Sequence, residues 1–271
     1  MSPPWRTRRR AGRALAGLMA AVLALVHAPP TVSADEPPVI AAAADLQFAL
    51  EEVSQAFTRE TGQAVKLTNG SSGNFTRQIR QGAPFQLFLS ADEQYVLELA
   101  RDGLTRDEGV LYAVGRIALI VPKGAPLQVD GTLEDLRRAA ADGRLTHLAI
   151  ANPEHAPYGK RAEEALRHVG LWDALQGRLV LGENVAQATQ LATSGSAQGG
   201  IVAYSLANSL RLAQLASYAL IPAEWHQPLN QRMVLLAGAG PVATRFYAFM
   251  QAPPARAILR RHGFVLPGEQ F

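Results

Sequence analysis

Thr68-Asn69-Gly70-Ser71-Ser72-Gly73-Asn74-Phe75-Thr76-Arg77-Gln78-Ile79 is the stretch on which the reading of this chain turns. Ahead of it, Ala64 to Leu67 (A-V-K-L) predicts a short buried strand. Behind it, Phe75 and Ile79 stand four apart, the spacing of one helix face. Glycine permits close backbone approach, and serine hydroxyls beside helix-start N–H groups put several donors near one point. A strand, a Gly/Ser turn and a helix N-terminus can together hold an anion without Lys or Arg. In isolation the stretch reads first as an ordinary capped strand-to-helix turn. The chain repeats the device, and the repetition favours the anion site.

Working outward, strands and helices alternate. Val39 to Ala43 reads as a buried strand, and Leu46, Leu50, Val53 and Phe57 as the inner face of a helix closed by Gly62. Asp45 stands at the expected N-cap of that helix. Strands are expected at 87–90, 147–151, 179–181, 199–203, 217–221 and 233–236. Thr132, with Asp135 three residues on, predicts a capping box, and Pro241 and Pro254 predict helix starts. Tyr112 to Val121 is a ten-residue apolar run, long for one strand of a small sheet, and predicts a passage from one domain into another. The segment with Pro222 and Pro228 predicts a second passage. The fold class is therefore α/β, with helices on the sheet faces and ligands expected at the carboxyl ends of strands. Four strand-to-helix turns could point at one cleft: Ala44-Asp45, Ser71-Ser72, Tyr158-Gly159 and Asn184-Val185.

Residues 1–34 read as a cleavable signal peptide. Arg6, Arg8, Arg9, Arg10 and Arg13 precede an apolar run from Ala14 to Val26, and Val32-Ser33-Ala34 offers a small-residue cleavage site. Arg8-Arg9-Arg10 also fits a twin-arginine signal. The charge balance changes with this segment. Five of the 26 Lys+Arg and none of the 23 Asp+Glu precede Asp35, which leaves 21 basic and 23 acidic side chains, a net of −2. The basic balance of the full chain is thus no sign of nucleic-acid binding. The absence of cysteine excludes disulfides, thiolate metal sites and a lipoprotein anchor on Cys. A secreted chain of 237 residues without disulfides must rely on hydrophobic cores, enough for one large or two modest domains.

Histidines 147, 155, 168, 226 and 262 lack metal-ligand spacing, so surface or capping roles are expected. Gly70-Ser71-Ser72-Gly73 has the wrong spacing for a nucleophile elbow, which favours a carrier over an enzyme. Arg77 and Arg80 are expected on a solvated helix face.

Several stretches, in order, resemble the periplasmic molybdate-binding proteins of ABC importers, within the type II periplasmic binding protein superfamily. They are A-A-A-A-D-L (41–46), G-S-S-G-N-F-T-R-Q-I (70–79), G-A-P-F-Q-L-F-L-S-A-D (82–92), N-P-E-H-A-P-Y-G (152–159), E-N-V (183–185), G-I-V-A-Y-S (200–205) and R-R-H-G-F (260–264). The resemblance implies a two-lobed fold of two mixed sheets with two interlobe crossings: lobe 1 from 35–115 plus 226–271, lobe 2 from 116–225. It implies a periplasmic monomer that captures molybdate or tungstate and delivers it to a membrane permease and ATPase. The same fold could hold another oxyanion, such as sulfate or phosphate, or a small organic acid. No cofactor is implied. Molybdenum would be held as its oxyanion, through Ser72 and Val185, and not as a bare metal ion. Carried over position by position, the oxyanion contacts fall on Asp45, Ser72, Tyr158, Val185 and Tyr204.

Two of these depart from the family pattern. The first helix start usually offers Ser where this chain has Asp45, and the Tyr that usually follows the Ile-Val pair is displaced by Ala203, so Tyr204 comes next. Two unit charges 4 Å apart interact by about 4 kcal/mol at an effective dielectric near 20, and a dianion doubles that. A micromolar ligand has only about 8 kcal/mol in total. Asp45 is therefore expected to turn away as a cap and donate only its backbone N–H; the alternative is a ligand that is not a simple dianion.

Overall fold

The computed structural model describes residues 36–269. The leader and its cleavage site lie outside the described residues. In chain order the elements are β1 (Val39–Ala43), a 3-10 turn (Ala44–Leu46), α1 (Gln47–Thr61), β2 (Lys66–Gly70), α2 (Ser72–Arg80), β3 (Phe85–Ser90), α3 (Glu93–Arg101) and β4 (Val110–Gly115). Then come β5 (Ile117–Pro122), α4 (Glu134–Asp142), β6 (Leu148–Ala151), α5 (Pro157–His168), α6 (Trp172–Leu175), β7 (Leu179–Gly182), α7 (Val185–Thr193) and β8 (Gly199–Ala203). The last are α8 (Tyr204–Ala207), α9 (Leu210–Ala213), β9 (Ala216–Leu220), β10 (Leu229–Leu235), α10 (Pro241–Met250) and α11 (Pro253–Arg261).

The strands form two five-stranded mixed sheets flanked by helices. The first has the order β2-β1-β3-β10-β4 and the second β7-β6-β8-β5-β9. In each, three strands run parallel and join the rest through antiparallel pairings: β10 pairs antiparallel with β3 and β4, and β5 with β8 and β9. The Tyr112–Val121 run breaks at Arg116, so β4 belongs to the first sheet and β5 to the second. β9 and β10 likewise lie in different sheets on either side of Pro222 and Pro228.

Each sheet carries its own core. Leu46, Leu50, Val53 and Phe57 of the first helical stretch are fully buried, and Phe57 meets Phe246 and Phe249 edge-on at 5.1 and 5.5 Å. Ala43, Ala44 and Ala91, from strand ends of the first sheet, bury into the cluster of the second. Small side chains at those ends let the two halves approach closely.

Three local expectations fail. β2 starts later than expected and extends to Gly70, which pairs with Ala43. A Cβ at Gly70 would stand 2.9 Å from the Phe75 ring, so the helix packs against that strand end only because the residue is glycine. Asp45 is not an N-cap, because a 3-10 turn precedes α1 and its cap position is Ala43. Thr132 is not a cap either. Asp130 accepts the N–H groups of Glu134 (2.9 Å) and Asp135 (3.0 Å), while Leu133 takes a left-handed conformation at φ 58°.

Candidate functional site

Five strand-to-helix turns meet at one small cavity with about 190 Å³ of empty space. The first sheet contributes Ala44 and Asp45 after β1, Ser71 and Ser72 after β2, and Ala91 after β3. The second contributes Ala156, Pro157 and Tyr158 after β6, with Asn184 and Val185 after β7. Every one of these follows the carboxyl end of a parallel strand. No Lys or Arg lines the cavity among the described residues. A wider cleft bordered by Phe48, Gln187, Gln190 and Arg211 adjoins it at Ala44 and Asn184.

The helix starts leave donors available. First-turn N–H groups have no partner inside their own helix. In α7, Asn184 caps the N–H groups of Ala186 (3.0 Å) and Gln187 (3.1 Å), and its side chain leaves that of Val185 unclaimed. In α5, Pro157 has no N–H, so the first donor is that of Tyr158. Ser72 opens α2, and its Oγ accepts the N–H of Ala91 at 3.0 Å. That bond occupies a lone pair and leaves the hydroxyl proton free to point elsewhere.

Asp45 sits differently from expectation. Its carboxylate is buried, and Oδ2 accepts from the Tyr158 hydroxyl (2.9 Å) and the Gln231 amide (2.6 Å), while Oδ1 has no hydrogen-bond partner. Burial pushes its pKa from 3.8 up to about 6, opposed by the hydrogen bonds from Gln231 and Tyr158 and by the nearby backbone N–H groups of Asp45 and Leu46. Tyr112 completes the network by donating to Gln231 Oε1 at 2.7 Å. Burial first, and the Asp45 charge second, hold the Tyr112 and Tyr158 phenols well above their usual range, so both remain protonated donors.

Tyr204 is not brought to the cavity. Its ring packs against Tyr218, with centroids 5.5 Å apart, and lies so near Gly263 that a Cβ there would stand 2.5 Å from Cε1. Tyr204 opens α8, and its N–H is taken by the Arg116 carbonyl at 2.9 Å. Asp45, Ser72, Tyr158 and Val185 are brought together; Tyr204 is not.

Sequence reasoning missed the groups that tie the two sheets together. His155, expected in a surface or capping role, is buried: its Nδ1 lies 3.0 Å from Ser71 Oγ, its carbonyl accepts the Gly73 N–H at 2.9 Å, and its Nε2 lies 3.7 Å from Glu183. Glu183 also accepts from the amide of Asn74. A Cβ at Gly73 would stand 2.7 Å from the His155 carbonyl, so the second glycine of the opening stretch exists for this approach. Ser205 donates to the Asp45 carbonyl at 2.8 Å. Arg161 bridges Asp92 (2.8 Å) and Glu164 (2.7 Å). Gln231 carried one sequence signal, an amide within the strand L-N-Q-R-M-V-L; it is wholly buried. Arg77 and Arg80 are exposed as expected, Arg80 pairing with Glu98 and Asp102. Among the described residues no group of three or more His, Asp or Glu could hold a metal ion, and no helix is long and apolar enough to cross a membrane.

Comparison with known proteins places this geometry in context. The profile of the bacterial extracellular solute-binding protein family matches residues 38–265. The molybdate-binding protein ModA of Rhodobacter capsulatus is 34% identical over 249 residues, 91% of this chain and 95% of that protein. The periplasmic molybdate-binding protein of Azotobacter vinelandii superposes with a TM-score of 0.76 at 31% identity, covering 85% of this chain and 99% of that one. The sulfate-binding protein SubI of Mycobacterium tuberculosis shares the fold, with a TM-score of 0.71 at 16% identity over 86% of this chain and 87% of that one.

Proposed function

Since the chain belongs to the bacterial extracellular solute-binding protein family, we propose that it captures molybdate or tungstate outside the cytoplasm and delivers it to a membrane permease and ATPase. The single observation that carries this reading is the convergence of five helix-start turns, three from the first sheet and two from the second, on one cavity with no Lys or Arg in its lining. Helix N-termini and hydroxyls stabilise an anion through fixed dipoles, at no cost of reorientation when it arrives. The Ser72 hydroxyl and the N–H groups of Tyr158 and Val185 are the donors, together with the backbone of the Ala44-Asp45 turn. A fixed donor set selects by size, which separates molybdate and tungstate from the smaller sulfate.

The lobes are 35–115 with 226–271 and 116–225, and they close about the two crossings, at Arg116 and between β9 and β10. The ion pair between Arg161 and Asp92 and the contacts of Ser71 and Gly73 with His155 hold the closed form. The protein acts as a periplasmic carrier and a monomer, and catalyses nothing. Titration calorimetry against a panel of molybdate, tungstate, sulfate and phosphate tests this. The first two are expected to bind at least tenfold more tightly than the others. Equal binding across the panel, or none, overturns the reading.

A further inference from the structure

A buried carboxylate facing a cavity built for a dianion poses an electrostatic problem. Asp45 lines the cavity and is 1% exposed, and Oδ2 already receives two hydrogen bonds. Oδ1 receives none. An ionised carboxylate can only accept, so Asp45 would meet an anion arriving in the cavity as charge against charge. A protonated one would place its single proton on Oδ1, the oxygen without a hydrogen-bond partner, and would become a donor. Tyr158 and Gln231 favour this assignment because both donate to Oδ2, leaving no proton position there.

Among the described residues, no Lys or Arg lines the cavity to relieve the charge. The titratable groups facing Asp45 are Tyr158 from α5 and Tyr112 from β4, both phenols held protonated. From β10 it meets the Gln231 amide, and from α8 the Ser205 hydroxyl reaches its carbonyl. α7, packed against the same turn, carries no ionisable side chain. His155 stands one residue further out, on Ser71.

We propose that Asp45 binds the oxyanion as a carboxylic acid, its Oδ1 proton donated to an anion oxygen, so that each anion captured takes up one proton from solvent. This rests on the oxyanion reading given above. The free carboxyl already titrates at about 6, and a dianion beside it raises that further. Proton and anion then help each other bind by the same factor. Near and above neutral pH, affinity falls tenfold for each unit of pH while the complex keeps the proton.

The test is titration calorimetry with molybdate at pH 7 and pH 8, each in two buffers of different ionisation enthalpy, which counts the protons taken up. The wild type is expected to take up close to one proton at pH 8 and to bind about tenfold more weakly there than at pH 7. Asp45→Asn keeps an acceptor for Tyr158 and Gln231 and puts a permanent donor at the other position. It is expected to take up none and to show the same affinity at both pH values. Wild-type binding without proton uptake overturns the inference and leaves the oxyanion reading standing. Uptake that persists in Asp45→Asn and disappears in His155→Gln assigns the proton to His155 and overturns it as well. No binding at either pH overturns both.

Discussion

The Tyr158 hydroxyl donates to Asp45 Oδ2 at 2.9 Å, joining residues 113 positions apart. One follows the first strand of the first sheet, the other the β6 strand of the second. The bond is therefore both part of the cavity wall and a contact between the two halves. Its acceptor is a carboxylate that burial disfavours in the charged form, and its second donor, Gln231, reaches in from the strand that returns to the first sheet. Cavity wall and contact between the sheets share one network.

The cost of that carboxylate should be visible in stability against pH. The unfolded chain releases the Asp45 proton near 3.8 and the folded chain near 6, so the folded state binds more protons between those values. Stability from this group is therefore lost as pH rises through that window, by ~3 kcal/mol at about 1.36 kcal/mol per unit. Asp45→Asn is expected to exceed the wild type by up to that amount in urea unfolding at pH 8, with no difference at pH 3.5. An equal difference at both pH values would sink the explanation.

Ser72→Ala removes a hydroxyl donor from the cavity. A hydrogen bond to a charged group contributes about 1.5–3 kcal/mol, so molybdate affinity should fall roughly 10- to 100-fold. The Ala91 N–H loses its acceptor, at a cost of about 1 kcal/mol in stability, but the fold should persist. Calorimetry and circular dichroism together measure this. Unchanged affinity would remove Ser72 from the site.

Gly115 allows the network to assemble. A Cβ there would stand 2.3 Å from the Tyr158 hydroxyl oxygen and 2.8 Å from Gln231 Nε2. Gly115→Ala is expected to lower stability by about 1–3 kcal/mol, the usual range for overpacking. Gly177→Ala, where a Cβ meets nothing within 4 Å, serves as the control and should change stability by less than about 0.5 kcal/mol. Equal midpoints for the two variants in chemical denaturation would contradict the close approach.

Arg161 is largely buried between Asp92 and Glu164. Removing one partner of such a cluster strands the other charges, at a typical cost of 3–5 kcal/mol. The carboxylates here are partly exposed, so Arg161→Ala should fall near the lower end, about 3 kcal/mol, in guanidinium unfolding. A loss below about 0.5 kcal/mol would show that the pair is solvent-screened.

How much of this was legible beforehand follows from how local each signal is. The apolar faces of α1 and α10, the Pro241 helix start and the division of the 112–121 run depend on neighbours within a few residues, and they appear as read. The two caps assigned to Asp45 and Thr132 looked equally local. They failed because a 3-10 turn displaced one helix start and Asp130, further back, supplied the other carboxylate. Tyr204 illustrates a different limit. It stands one position past the family's tyrosine, and its ring turns to Tyr218 and Gly263, which periodicity cannot reveal.

By itself, the order of residues determined that strands alternate with helices and that several Gly-, Ser- and Pro-marked turns begin helices. Those properties are carried by spacing and backbone preference, which act over a few positions. Only tertiary structure decided that the turns face one another, that His155 lies under Ser71, and that Asp45 is held by Tyr158 and Gln231 away from water. The fate of a carboxylate depends on what excludes solvent from it and what donates to it, and here those groups arrive from sequence positions more than a hundred residues away.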